Sequence, residues 1–292
     1  MTPPGANDLF LDVNGVRLHL LDWGGDHQAG GPAIFCVHAT GYLAALWHPI
    51  ALALIEQARV LAVDLPGHGD SEPAPDYRWD HLAEYVGGAL RALDVGPALL
   101  VGHSVGGATS VICAARYPEL VRAMVLADPV VLPEPFYHRP EAAESSDFYG
   151  VRSRRSSWPS REAMRESLRP KAAYARWRPE MLDLYVREGV RETADGPDGQ
   201  GVTLKCPPET EVAVYLQTLG YNLWPEIAHA DVPAIVLRGL STEGLASVTA
   251  PELSGWLPQA EDRPLPLASH HVPMECPEEV VRAAHDLLPR PD

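Results

Sequence analysis

The stretch Gly102-His103-Ser104-Val105-Gly106 is a G-x-S-x-G pentapeptide. The apolar run Ala98-Leu99-Leu100-Val101 precedes it, and a small-residue, helix-compatible run from Gly107 to Ala115 follows. Strand, tight turn, helix is the context in which this pattern presents a nucleophilic serine. The glycines keep Cβ atoms out of a turn that has no room for them. The turn lifts the Ser104 hydroxyl to the positive end of the following helix.

Serine is a weak nucleophile until a base takes its proton and an acid orients that base. A late histidine in Leu267-Ala268-Ser269-His270-His271-Val272-Pro273 supplies the base. His270 is the preferred candidate and His271 the alternative. Two carboxylates compete for the acid. Glu243 follows the apolar run Ala234–Leu237, in Arg238-Gly239-Leu240-Ser241-Thr242-Glu243, and Asp128 ends the run before it. Glu243 is preferred and Asp128 is its rival; otherwise Glu243 is a solvated loop carboxylate and Asp128 a strand-end hydrogen-bonder. The oxyanion needs two preorganised N–H donors. They are assigned to the amides of Val105 and of Thr40, in the loop His38-Ala39-Thr40-Gly41. Ala39, Tyr42, Trp47 and His103 are candidate substrate contacts. Trp47 and Tyr42 serve equally well as packing for the first helix.

The surrounding elements must position these groups. Leu9 to Leu21 predicts two short strands around an Asn14-Gly15 turn. Continuous apolar runs at Ala33–Val37, Val60–Val63, Ala98–Val101, Met124–Leu126 and Ala234–Leu237 predict strands buried on both faces. Helical periodicity covers 43–57, 81–93, 105–116 and 277–288. The alternation predicts an α/β chain with a mostly parallel, doubly wound sheet. It stops after Asp128. Residues 131–230 read as helices and loops with a Gly/Asp/Pro-rich break at Asp195 to Gly201, then the alternation resumes. The expected organisation is a core of 1–130 and 231–292 with a helical cap, 131–230, inserted after the sixth strand. Such a cap falls at the sheet edge where ligands bind.

These motifs together resemble the α/β-hydrolase family, in its capped serine esterase and lipase-like branch. The matching pieces are His38-Ala39, the run Asp64-Leu65-Pro66-Gly67-His68-Gly69-Asp70-Ser71, the elbow, Arg238-Gly239 and Ser269–Pro273. The resemblance spans about 9–130 and 231–288 and implies the order serine, acid, histidine. It departs from the family pattern twice: Ala39 stands for a glycine and Glu243 for an aspartate. It implies that His68 is a loop hydrogen-bonder. The serine argues against epoxide-hydrolase or dehalogenase chemistry, whose similar enzymes carry aspartate there.

Composition narrows the partners. The 292 residues carry a formal net charge of −16, which disfavours nucleic acid and anionic membrane surfaces. The four cysteines are scattered with no C-x-x-C pair, so no metal or redox spacing is present. No secretion signal or membrane span is legible, and a cytoplasmic location is the default. The inserted segment is aromatic, with Phe148, Tyr149, Trp158, Tyr174, Trp177, Tyr185, Tyr215 and Trp224, and is locally basic around Arg152-Ser153-Arg154-Arg155. That basic stretch is either solvated surface or an anion-recognition patch. The expectation is a cofactor-free serine hydrolase acting on a small or medium carboxylic ester. Thioester, lactone or carbon–carbon bond hydrolysis and acyl transfer use the same machinery. A ligand-binding protein on this fold is the non-enzymatic alternative.

Overall fold

In the computed structural model, which describes residues 2–25, 31–138, 150–194 and 200–289, Asn14 and Gly15 both take positive φ (50° and 78°). That is what a tight two-residue hairpin between right-twisted strands demands. The turn joins β1 (Asn7–Val13) to β2 (Val16–Gly24) with Val13 opposite Val16. The buried runs then form β3 (Ala33–Val37), β4 (Arg59–Val63), β5 (Ala98–His103), β6 (Val121–Ala127), β10 (Ala234–Gly239) and β11 (Ala260–Leu265). The sheet order is β1-β2-β4-β3-β5-β6-β10-β11. From β4 to β11 every pairing is parallel.

Alternate side chains of each central strand enter separate cores. Phe35, Val37, Leu61 and Leu100 pack with Ile112 of α3 (Val105–Arg116) and Leu82 of α2 (Trp79–Leu93). Ile34, Cys36, Val60 and Val101 pack on the other face with Ile50 of α1 (His48–Leu54). The chain leaves β3 for β4 on one side, then returns to place β5 on the other. The carboxyl ends of β3 and β5 therefore flank a topological switch point, the place where open α/β sheets bind ligands.

Between β6 and β10 come α4 (Arg161–Leu168), α5 (Ala172–Ala175), α6 (Pro179–Glu188), α7 (Pro208–Gly220) and α8 (Trp224–Ile227). The expectation of helices and loops alone is corrected here. Strands β7 (Ser157–Trp158), β8 (Val190–Thr193) and β9 (Gly201–Leu204) form a small antiparallel sheet in the order β7-β9-β8. Two to four residues, mostly polar in β8, are too few to show a period of two. Phe148, Tyr149 and most of the Asp195–Gly201 break lie outside the described residues. After β10 the chain adds α9 (Leu253–Trp256), then β11, α10 (Val272–Glu275) and α11 (Pro277–Leu287). Among the described residues no helix is long and apolar enough to cross a membrane.

Candidate active site

Parallel register brings the chemistry together. Val37 pairs with Gly102, and His103 pairs with Ala127, which is itself opposite Leu237. The residues that follow, His38, Ser104 and Asp128, thus emerge side by side at one sheet edge. Ser104 sits at φ 56°, ψ −119°, a conformation rarely taken by a residue with a side chain. A Cβ on Gly106 would lie 2.1 Å from the Val37 carbonyl oxygen, and one on Gly102 would lie 2.4 Å from that of Gly106. Gly106 lets the elbow backbone pack directly on the end of β3, and Gly102 lets the strand end pack on the first turn of α3.

His270 Nε2 lies 3.0 Å from Ser104 Oγ, and its Nδ1 lies 2.6 Å from Asp128 Oδ2. The other Asp128 oxygen accepts from Gly239 N at 2.9 Å and from Ser247 Oγ at 2.6 Å. Asp128 is fully buried and Ser104 is 4% exposed. A buried carboxylate this well supplied with donors stays a fixed acceptor for a ring N–H. The preference for Glu243 as the acid is corrected. Its side chain is 82% exposed and pairs with Arg176 at 2.9 Å. Glu243 lies four residues past the end of β10, whereas Asp128 directly follows β6 and stands one strand from Ser104. Ser247 was not picked out in the sequence, and an isolated loop serine carries no signal there.

Val105 opens α3, so its N–H has no intrahelical acceptor. Thr40 lies in the turn Ala39–Tyr42, closed by the Tyr42 N–H donating to the Ala39 carbonyl at 3.1 Å. Gly41 occupies the third position at φ 80°, as a type II turn requires. The His38 ring braces the same turn. Its Nδ1 donates to the Ala39 carbonyl at 2.8 Å, and Nε2 accepts from Leu65 N at 2.9 Å. Burial pushes the His38 pKa down, which favours that neutral tautomer.

The other candidate contacts separate. Tyr42 is half-buried, and its hydroxyl lies 2.8 Å from His271 Nε2. Its ring meets Trp177 and Tyr185 of the inserted segment edge-on, with centroids 5.3 and 5.6 Å apart. Ala39 contributes its buried carbonyl to the turn. Trp47 is corrected to core: it is fully enclosed beside Ile50 and Leu54. His103 is corrected to a support. Its Nε2 donates to the His270 carbonyl at 2.9 Å, and its ring stacks parallel on Tyr42. Burial drives its pKa well down, so it stays neutral. His271, next in sequence to His270, turns to Tyr42 and not to Ser104. His68 donates from Nδ1 to the Pro66 carbonyl at 3.0 Å, and burial pushes its pKa to about 3.

The basic stretch divides. Arg155 lies exposed over the Trp158 ring. Arg154 turns inward to the buried Glu211 carboxylate, at 2.6 and 2.8 Å. A network missed in the sequence holds the histidine loop. Glu275 accepts from Ser269 N at 2.8 Å and from Ser269 Oγ at 2.5 Å, while Arg176 reaches it from the inserted segment at 3.3 Å.

Elsewhere His19, Asp64 and Asp70 each bring a possible metal-ligand atom within 4.8 Å of the others. Both His19 nitrogens are already engaged, by Asp64 at 2.7 Å and Asp8 at 2.9 Å, and Asp70 pairs with Lys205. The group is therefore a charge network. It borders a cavity of about 210 Å³ that none of Ser104, His270 and Asp128 lines.

A family model described as the alpha/beta hydrolase fold matches residues 32–277. The chain is 27% identical over 291 residues to 2-(acetamidomethylene)succinate hydrolase of Mesorhizobium japonicum, covering 97% of each chain. It superimposes on the crystal structure of E-2-(acetamidomethylene)succinate hydrolase with a TM-score of 0.80 at 23% identity, covering 97% of this chain and 98% of that one. The thioesterase domain from the curacin biosynthetic pathway matches with a TM-score of 0.73 at 19% identity, covering 95% and 98%.

Proposed function

The chain belongs to the alpha/beta hydrolase fold family, and from that premise we propose that it is a serine hydrolase that cleaves a small carboxylic ester through an acyl-enzyme on Ser104. The observation that carries this reading is the hydrogen-bonded line Ser104, His270, Asp128. His270 Nε2 takes the Ser104 proton as Oγ attacks the carbonyl. Asp128 holds the ring tautomer and stabilises the imidazolium. The Val105 and Thr40 amides receive the oxyanion. His270 then gives the proton to the leaving alcohol; next it deprotonates the water that attacks the acyl group, and returns that proton to Ser104 Oγ as the acid leaves. In this reading residues 131–230 form a cap over Ser104. Trp177, Tyr185 and Arg154 of that segment surround Tyr42 and the oxyanion turn and exclude water from the reaction. The formal net charge of −16 favours a small-molecule substrate over nucleic acid or an anionic membrane surface.

A second reading has a specific support. The relative matched over nearly the whole chain is named for a compound that is both a dicarboxylate and an amide. An amide on a small carboxylate is therefore the rival bond. One experiment tests both. A fluorophosphonate should label the parent at Ser104 and leave Ser104→Ala unlabelled. Hydrolysis of p-nitrophenyl acetate and of 2-(acetamidomethylene)succinate by the parent then ranks the two bonds. Absence of both labelling and turnover would return the chain to a ligand-binding role.

A further inference from the structure

The oxyanion turn is held from two sides. His38 braces it from the core. The second brace comes from the inserted segment, which reaches the turn from three separate places in the sequence. Tyr185 of α6 donates its hydroxyl proton to the Gly41 carbonyl at 3.3 Å. Arg154, from the loop before β7, donates from Nη2 to that same hydroxyl at 3.3 Å. Its Nη1 lies within 2.8 Å of both oxygens of Glu211, in the first turn of α7. The Glu211 carboxylate rests against Gly41 itself: a Cβ there would sit 2.8 Å from Oε1 and 3.0 Å from Cδ.

We propose that Tyr185 and Arg154 are positioning residues that set the oxyanion turn, so that the inserted segment contributes to transition-state stabilisation as well as to enclosure. This rests on the reading of Ser104 as a nucleophile whose oxyanion is met by the Thr40 amide. The Gly41 carbonyl shares its peptide with the Tyr42 N–H, which donates to the Ala39 carbonyl at 3.1 Å, and that carbonyl shares its peptide with the Thr40 amide, so the turn-closing bond passes a tilt of one peptide to the other. Ring packing alone does not fix that tilt. Tyr185 meets Tyr42 and Trp177 edge-on, and such faces tolerate sliding. A directed bond to the Gly41 oxygen removes this freedom. Arg154 is suited to anchor the bond because a guanidinium presents two donors in a rigid fork, one for Glu211 and one for Tyr185. A lysine carries the charge without the fork. Glu211 is buried, and burial pushes its pKa up against the pull of Arg154. The fork therefore also keeps that carboxylate paired beside the turn.

The test is Tyr185→Phe, which removes one oxygen and keeps the ring. Two rates are read: phosphonylation of Ser104 by a fluorophosphonate, and kcat and KM on p-nitrophenyl acetate. Phosphonylation also places developing charge in the oxyanion site and does not depend on the natural substrate. Loss of a positioning contact predicts about 10-fold slower labelling and about 10-fold lower kcat, with KM within about twofold. Thermal stability should stay within a few degrees of the parent. Arg154→Lys should lose a similar factor, and the double variant should be no slower than either single one, because the two act in series. Parent labelling that is not slowed in Tyr185→Phe overturns the positioning role and leaves the nucleophile intact. So does a loss confined to KM, or losses that multiply in the double variant. Absence of labelling in the parent overturns the nucleophile and the positioning role together.

Discussion

The Asp128 carboxylate is shared between two loads: Oδ2 faces His270 Nδ1 at 2.6 Å, while Oδ1 is clamped by the Gly239 amide and the Ser247 hydroxyl. Its backbone continues the strand register, its N–H donating to the Leu237 carbonyl at 2.8 Å, although φ has turned to 43°. The Asp128 carboxylate is therefore fixed by three chain segments: β10, the loop at Ser247 and the loop of His270.

Asp128→Asn should keep the shape and lose the ring orientation. The amide offers a donor where His270 needs an acceptor, so kcat should fall by roughly 10³ to 10⁴. Glu243→Gln should change it by less than about twofold, because that side chain meets Arg176 and solvent. Measuring both on one activated ester decides the assignment. A deeper loss in Glu243→Gln would overturn it.

Trp47 separates packing from recognition. Trp47→Leu should lower unfolding free energy by about 3 kcal/mol, as large core truncations do. The ratio of kcat/KM between acetyl and hexanoyl esters should stay unchanged. Denaturant melts with a short ester series test this, and a shifted chain-length preference would return Trp47 to the acyl pocket.

The elbow tolerates no side chain at 106. Gly106→Ala would press a methyl to 2.1 Å from the Val37 oxygen, which belongs to a central strand and cannot move aside. The variant should melt at least about 10 °C lower and lose fluorophosphonate labelling. A stable, fully labelled Gly106→Ala protein would show that the elbow is looser than these contacts require.

A pH signature in stability should come from His19. Burial alone would lower its pKa, but Asp64 and Asp8 outweigh that and the pKa is raised above 6.5. For Asp64 burial alone would raise the pKa, and His19 reverses it, so the net is lowered from 3.8. A raised histidine stabilises fully below its unfolded pKa of about 6.5, and the stability is lost as pH climbs through the folded value. A lowered carboxylate stabilises above about 3.8, and its contribution is lost as pH falls through the folded value. Together they stabilise most between about pH 4 and 6.5. The melting temperature of the parent should decline from pH 6.5 to 8.5 more steeply than that of His19→Gln. Parallel declines would show that this network does not set the slope.

What the amino-acid order determined by itself was local. Asn14-Gly15 forces its turn through positive φ, the apolar runs are strands because both faces of a parallel sheet are covered, and the spacing of small residues around Ser104 leaves one backbone shape. Each depends on neighbours within a few positions. That is why β3, the elbow and α3 were legible almost to the residue, and why Ser104 and His270 stood out as candidates. Partners far apart in the chain were decided only by the tertiary structure. Asp128 and Glu243 both follow strands, and the register of His103 on Ala127 and of Ala127 on Leu237 brings one of them to His270. Trp47 lies only five residues past the turn Ala39–Tyr42, yet the second core draws it inward. Arg154 and Arg155 are adjacent and chemically alike, and a buried Glu211, 57 residues on, turns one inward while its neighbour stays in solvent. Such pairings depend on how strands align and what the inserted segment covers, and no short window of residues contains that information.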